Sequence, residues 1–251
     1  MSATKYNYGY IPDLEDDRDL MFSSPQAVVP ARVDLRGAFM PPIVDQAALG
    51  SCTSNAIVGA LGYDQLKQGE VHTPLSRLFI YYCEREKEGT IDSDSGARIR
   101  DGVKAVNKTG AAPEAEWPYD ITKFALKPSP KAYSDAVKYE SLLYRRVSRS
   151  LPQLKLALSA GFPVVFGFTV YASFENERTT KTGVVSMPVP NEEILGGHAV
   201  VAVGYDNDKQ WVIVRNSWGT SVGDSGYYYF PYRYFEKPGL VSDLWTITSV
   251  K

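Results

Sequence analysis

Cysteine and histidine are both scarce in this 251-residue chain: it has 2 of each, Cys52 and Cys83, His72 and His198. Two cysteines allow one bridge at most, which excludes a disulfide scaffold and suits a reducing compartment. Neither the cysteines nor the histidines are spaced as zinc ligands, so no metal is expected, and no other cofactor. A dominant charge is also missing. A net charge of −2 leaves no basic footprint for nucleic acid. Long apolar runs are missing too. The longest, near 162–170 and 199–205, are too short to cross a bilayer, so no membrane partner is expected. The first ten residues show no apolar stretch behind a basic start. No secretory signal is expected there, and the expected location is the cytoplasm.

What remains is the make-up of a globular chain long enough for one or two lobes around a real core. Residues 1–29 read as an extended arm with no sustained period, and Ser23-Ser24-Pro25 reads as a turn. Helices are expected from Cys52, with Ser51 as N-cap and Gly69 as stop, and then over 75–86, 98–108 and 151–160. Strands are expected over 164–171, 199–205, 211–215, 227–230 and 244–250. Helices crowd the first half and strands the second. This predicts an α+β protein, with a helical lobe mainly over 50–150 and an antiparallel β lobe mainly over 151–251.

Four residues carry candidate chemistry. Cys52 opens a helix, and free N–H groups at a helix start favour thiolate over thiol. A lone cysteine is more often buried and inert. Gln46 lies just upstream, where a side-chain amide can donate to an oxyanion, although a glutamine is more often a surface residue. His198 sits between Gly196-Gly197 and an apolar strand, a place where most histidines are structural. His72 lies in a polar loop and reads as solvated. Asn216, in Arg215-Asn216-Ser217-Trp218-Gly219, can accept a hydrogen bond from one imidazole nitrogen and aim the other at a sulfur. Trp218 would shield that bond from water. Each signal is weak alone, and the ordered set is much stronger.

That set resembles the papain family of cysteine peptidases. Gln46 with Gly50-Ser51-Cys52 is similar to its oxyanion and nucleophile segment, and Gly197-His198-Ala199-Val200 to its histidine strand. Asn216-Ser217-Trp218-Gly219 with Gly223-Asp224-Ser225-Gly226 resembles its asparagine segment. The resemblance implies a two-lobe fold with the active site in the cleft. It implies Cys52 as nucleophile, His198 as acid/base, Asn216 as orienter and Gln46 as oxyanion donor. Leu49 and Asp94 stand where the family has disulfide cysteines, Thr53 where an aromatic residue follows the nucleophile, and Val222 where a tryptophan follows the asparagine. Together with a short arm in place of a long helical propeptide, this is similar to the disulfide-free, xylellain-like bacterial branch. The family-like body runs over 30–251, with 1–29 as arm or short prosegment.

The expected activity is hydrolysis of peptide bonds in a peptide or protein substrate, by a monomer. Two other functions share the sequence pattern: a non-catalytic binding or inhibitory module, and an acyl-transfer ligase. Gly96 and Ala97 are expected to pair with substrate backbone. Arg98, Ile99, Gly167, Gly196, Gly197 and Trp218 are further candidates for the substrate cleft, whose pocket is expected to be roomy and mainly apolar. Tyr6, Tyr8, Tyr10, Ile11, Leu14, Leu20, Met21 and Phe22 predict that the segment Tyr8 to Phe22 packs on the body, either covering part of the substrate cleft or only bracing the lobes, rather than forming a free tail.

Overall fold

The computed structural model describes residues 6–24 and 28–250. Pro25 of the expected turn and the first five residues of the arm lie outside them. After strand β1 (Arg32–Asp34) the chain enters helix α1 (Cys52–Lys67), which is buried on nearly every side. That burial explains why its apolar residues trace only an approximate face in the sequence. Helix α2 (Arg77–Glu88) starts later than expected. Leu75 is held in a bridge to Pro113, and the Ser76 side chain caps Phe79. Gly89, at φ 73, closes α2, and Gly110, at φ 83, closes α3 (Ile99–Thr109). A fourth helix, α4 (Pro130–Ala136), is capped by Ser129 and opens on a proline, a short element the period does not reveal.

Most of the rest is one antiparallel sheet, with short helices between its strands. Strand β2 (Ser141–Val147) precedes helix α5 (Leu151–Ser159). Then come β3 (Val164–Tyr171), β4 (Ile194–Asp206), β5 (Trp211–Arg215), β6 (Tyr227–Pro231) and β7 (Val241–Val250). The strand order is β2-β7-β3-β4-β5-β6, with β1 added on β4. Strand β2 therefore joins the sheet although it falls within the stretch expected to be helical.

Both faces of β3 and β4 are covered. Val164, Phe166 and Phe168 pack with Val200 and Leu158 on one face, whereas Val165 packs with Val201, Ile57 and Leu61 of α1 on the other. Two-sided burial makes these strands continuous apolar runs. Each such side chain contributes on the order of 1.5–3 kcal/mol. The outcome that matters for function is geometric: α1 is clamped against β4, so its first turn faces the histidine strand.

The arm packs along this body. Tyr10 and Phe22 are 7% and 9% exposed. Phe22 and Arg146 exchange backbone bonds through Phe22 N–H to Arg146 and Arg146 N–H to Leu20, both 2.8 Å. Asp19 pairs with Arg100 at 2.5 Å and Arg146 at 3.1 Å.

Candidate active site

Cys52 is the first residue of α1 and is fully buried. Ser51 is the N-cap by position, but its hydroxyl bonds Tyr119 and Asn55 instead of capping the helix. Opposite, His198 on β4 is also fully buried, and its Nε2 donates to Asn216 Oδ1 at 2.7 Å. This fixes the neutral tautomer with Nδ1 free of hydrogen and of any hydrogen-bond partner. The backbone N–H of Ala199, next to His198, lies near the Cys52 sulfur and favours its thiolate. Trp218 stacks on the imidazole at 4.9 Å, and Phe168 meets it edge-on at 5.7 Å. Water is thus kept from the His198–Asn216 bond.

Gln46 is fully buried. Its Oε1 accepts from Ser217 Oγ at 2.7 Å, leaving Nε2 to donate to Leu49 O at 3.0 Å and to the arm carbonyl of Asn7 at 3.1 Å. The four residues expected to act together are therefore gathered within one buried cluster.

The arm lies across this cluster. Gly9 N–H lies near the Cys52 sulfur, and a Cβ at Gly9 would stand 1.7 Å from Gly50 O. Gly9 O accepts from Ala97 N–H at 2.7 Å, Ile11 N–H donates to Ala97 O at 3.0 Å, and Tyr10 N–H donates to Gly197 O at 2.9 Å. Gly96, at φ 74, leaves room for the Gly9 carbonyl, and Gly196 faces the side chain of Tyr8. Tyr8 approaches His198 edge-on at 5.8 Å, and Tyr6 stacks on Trp218 at 3.7 Å.

Tyr10 fills the pocket beyond. Its ring lies on Gly167, where a Cβ would fall 2.0 Å from Cζ. Its hydroxyl bonds Ser242 Oγ at 2.6 Å and the Asp243 carboxylate. The pocket floor is thus polar, which corrects the expectation of a mainly apolar pocket. Ile99 is fully buried in the same core cluster as Tyr10. Arg98 instead turns to Glu88, its N–H at 2.8 Å and its guanidinium at 3.5 Å, beside the acidic loop of the arm.

Burial decides the charge state. It pushes the Cys52 thiol up to about 12 and the His198 imidazole down to about 4, the latter opposed by the bond to Asn216. Burial thus disfavours both the thiolate and the imidazolium in the structure with the arm seated.

Other readings change in detail. His72 is half-buried and lines a cavity rather than being solvated. Thr53 points inward, donating to Glu84 at 2.8 Å. Where the resemblance places disulfide cysteines, Leu49 is buried and Asp94 accepts from Gly50 N–H and Tyr81. Both cysteines are free. Sequence reasoning named Tyr10 among the packing residues of the arm and Ser217 within the asparagine segment, but missed Ser242, Asp243, Gly9 and the bond from Ser217 to Gln46. Asp243 carried one signal, an acidic residue breaking the apolar run of β7.

A family model described as papain family cysteine protease matches residues 29–243. The chain belongs to that family. This papain-family protease is 39% identical to xylellain, a cysteine protease from Xylella fastidiosa, across 98% of this chain and 97% of that one, with a TM-score of 0.90. It is 40% identical to an uncharacterised peptidase C1-like protein of Acanthamoeba polyphaga mimivirus, covering 99% of this chain and 89% of that protein. It is 33% identical to cysteine proteinase 1 of Entamoeba histolytica, covering 74% of this chain but only 58% of that protein. A digestive procathepsin L 3 from Tenebrio molitor, 20% identical with a TM-score of 0.76 over 97% of this chain and 76% of that one, shares the fold.

Proposed function

We propose that this cysteine protease hydrolyses peptide bonds through a Cys52 thioester, and that residues 6–22 form a prosegment that holds it inactive. Cys52 thiolate attacks the carbonyl carbon, and Gln46 Nε2 with the Cys52 N–H stabilises the oxyanion. His198 gives a proton to the leaving amine and then takes one from the water that opens the thioester, while Asn216 keeps its ring aimed. The observation that carries the reading is the buried His198–Asn216 bond of 2.7 Å, which leaves Nδ1 as a free base one residue from the N–H near the sulfur.

The arm mimics a peptide in the cleft without being cleavable. Gln46 faces the Asn7 carbonyl, whereas the sulfur faces the Gly9 N–H. Attack requires one carbonyl to meet both groups, so the arm is in the wrong register and gives no thioester. Its contacts also map the subsites. Ala97 and Gly197 offer backbone pairing, and Gly96, Gly167 and Gly196 give clearance. The Tyr10 seat selects a long side chain with a donor at its tip, tyrosine, lysine or arginine, to meet Asp243 and Ser242.

The test is a peptide-amide cleavage profile of enzyme freed of its arm. Cleavage lost in Cys52→Ala, with enrichment of those three side chains at one position, is expected. Cleavage retained by Cys52→Ala, or a purely aliphatic preference, contradicts it.

A further inference from the structure

Away from the cleft, Arg215 at the end of β5 is 3% exposed. Its guanidinium donates to Pro41 O at 2.7 Å and Pro42 O at 2.5 Å. Gly59 of α1 lies so close that a Cβ there would be 3.0 Å from Arg215 Nε. No Asp or Glu pairs with Arg215 among the described residues. Carbonyl oxygens satisfy its N–H groups but do not neutralise its charge, and buried charges are normally paired.

A cavity of about 210 Å³ opens beside it. Its walls are chiefly apolar, from Pro41, Pro42, Val44, Val58 and Leu75. Its polar groups are Arg215, Arg77, His72 and Glu114. Arg77 faces Glu114 at 3.8 Å, and burial, helped by the field of Arg215, holds His72 below its ordinary value, hence neutral at pH 7. Glu114 and, from outside the cavity, Asp45 both act on Arg77, so Arg215 is the guanidinium left without a carboxylate.

We propose that this cavity binds a small monocarboxylate with an apolar body, its carboxylate beside Arg215 and His72 and its body against the prolines and Val58. One negative charge matches the excess, whereas a phosphate dianion would overshoot it and leave the apolar wall uncovered. The site has a mechanical link to catalysis. Arg215 holds the carbonyls of Pro41 and Pro42, and Arg77 holds that of Asp45 at 2.7 Å, in the segment that ends at Gln46. An occupant braces that segment from behind.

The experiment is a benzoate titration of the full chain, followed through the His72 ring resonances. A saturable shift with Kd on the order of 1 mM is expected for a ligand of this size. The His72 pKa should rise on binding, because a carboxylate offsets the Arg215 field. Benzyl alcohol, similar in shape but uncharged, should bind at least about tenfold more weakly. Val58→Phe, which fills the cavity without touching a charge, should abolish the shift. If that variant does not fold, the smaller Val58→Leu should weaken binding. No saturable shift, equal binding of benzyl alcohol, or wild-type binding in the folded Val58 variant would overturn the proposal.

Discussion

The backbone N–H of Gly9 lies near the Cys52 sulfur, and a Cβ at Gly9 would stand 1.7 Å from the carbonyl of Gly50, two residues before that cysteine. This one contact couples the arm to the chemistry twice. In the proposed reading it blocks access and adds to the burial that pushes the thiol up to about 12 and the imidazole down to about 4. Removing the arm readmits solvent, and the N–H groups of the α1 start then favour the thiolate.

Gly9 is the tightest point of the arm, since an added Cβ would lie 1.7 Å from the Gly50 carbonyl, which is backbone and does not yield. Gly9→Ala should therefore unseat the arm around the cleft while Phe22 and Asp19 keep its far end anchored. Labelling of Cys52 by a vinyl sulfone is expected to accelerate at least about tenfold, which corresponds to roughly 1.4 kcal/mol of lost docking. Unchanged labelling means that the arm does not gate the sulfur.

The two cysteines should separate cleanly. Cys83 is 7% exposed, and burial pushes its thiol up to about 12. With the arm removed, Cys52→Ala should lose both peptide-amide hydrolysis and probe labelling, and Cys83→Ser should keep both. Mass spectrometry that finds the probe on Cys83 would contradict the assignment.

The candidate site was far more legible than the way the arm sits over it. Cys52, His198, Asn216 and Gln46 could be read because their neighbours are short, ordered patterns of glycine, serine and tryptophan, and the long apolar strands β3 and β5 gave their limits outright. Strand β2 was hidden because Ser141–Val147 carries Arg145 and Arg146, whose charges serve the arm rather than an apolar face. The Tyr10 pocket was hidden for a related reason. Its floor, Ser242 and Asp243, meets residues more than 200 positions away, and no local period encodes that contact.

The proposed mechanism gives Gln46 two roles that kinetics can divide. In arm-free enzyme, Gln46→Ala should lower kcat by roughly 10²–10³ with little change in KM, because the oxyanion develops only in the transition state. In the full chain the same change removes the bond to Asn7 O and should loosen the arm. A KM effect alone would make Gln46 a binding residue.

Docking of the arm should weaken as pH rises. Asp13 faces Asp243 and Trp245 from β7, Arg100 from α3 and Arg146 from β2. Burial, then Asp243, pushes its carboxyl from 3.8 to about 6. The docked arm thus holds this proton more tightly than the free arm. Its contribution to docking is full below about pH 4 and is lost as pH climbs to about 6, a change of about 3 kcal/mol. The labelling rate of the full chain, divided by that of arm-free enzyme, should climb across this interval, and Asp13→Asn should flatten the climb. A ratio that falls with pH would reverse the account.

The central claim, that the arm keeps Cys52 neutral as well as covered, is tested most directly by alkylation of Cys52 with a small uncharged reagent across pH 4 to 9. The comparison is between the full chain and a form lacking residues 1–28, with folding checked by circular dichroism. Arm-free enzyme should show a thiolate with an apparent pKa within about 3.5–7.5. The full chain should show no ionisation in the interval, and added peptide spanning residues 6–22 should suppress alkylation of the truncated form. Identical pH profiles for the two forms would contradict the claim.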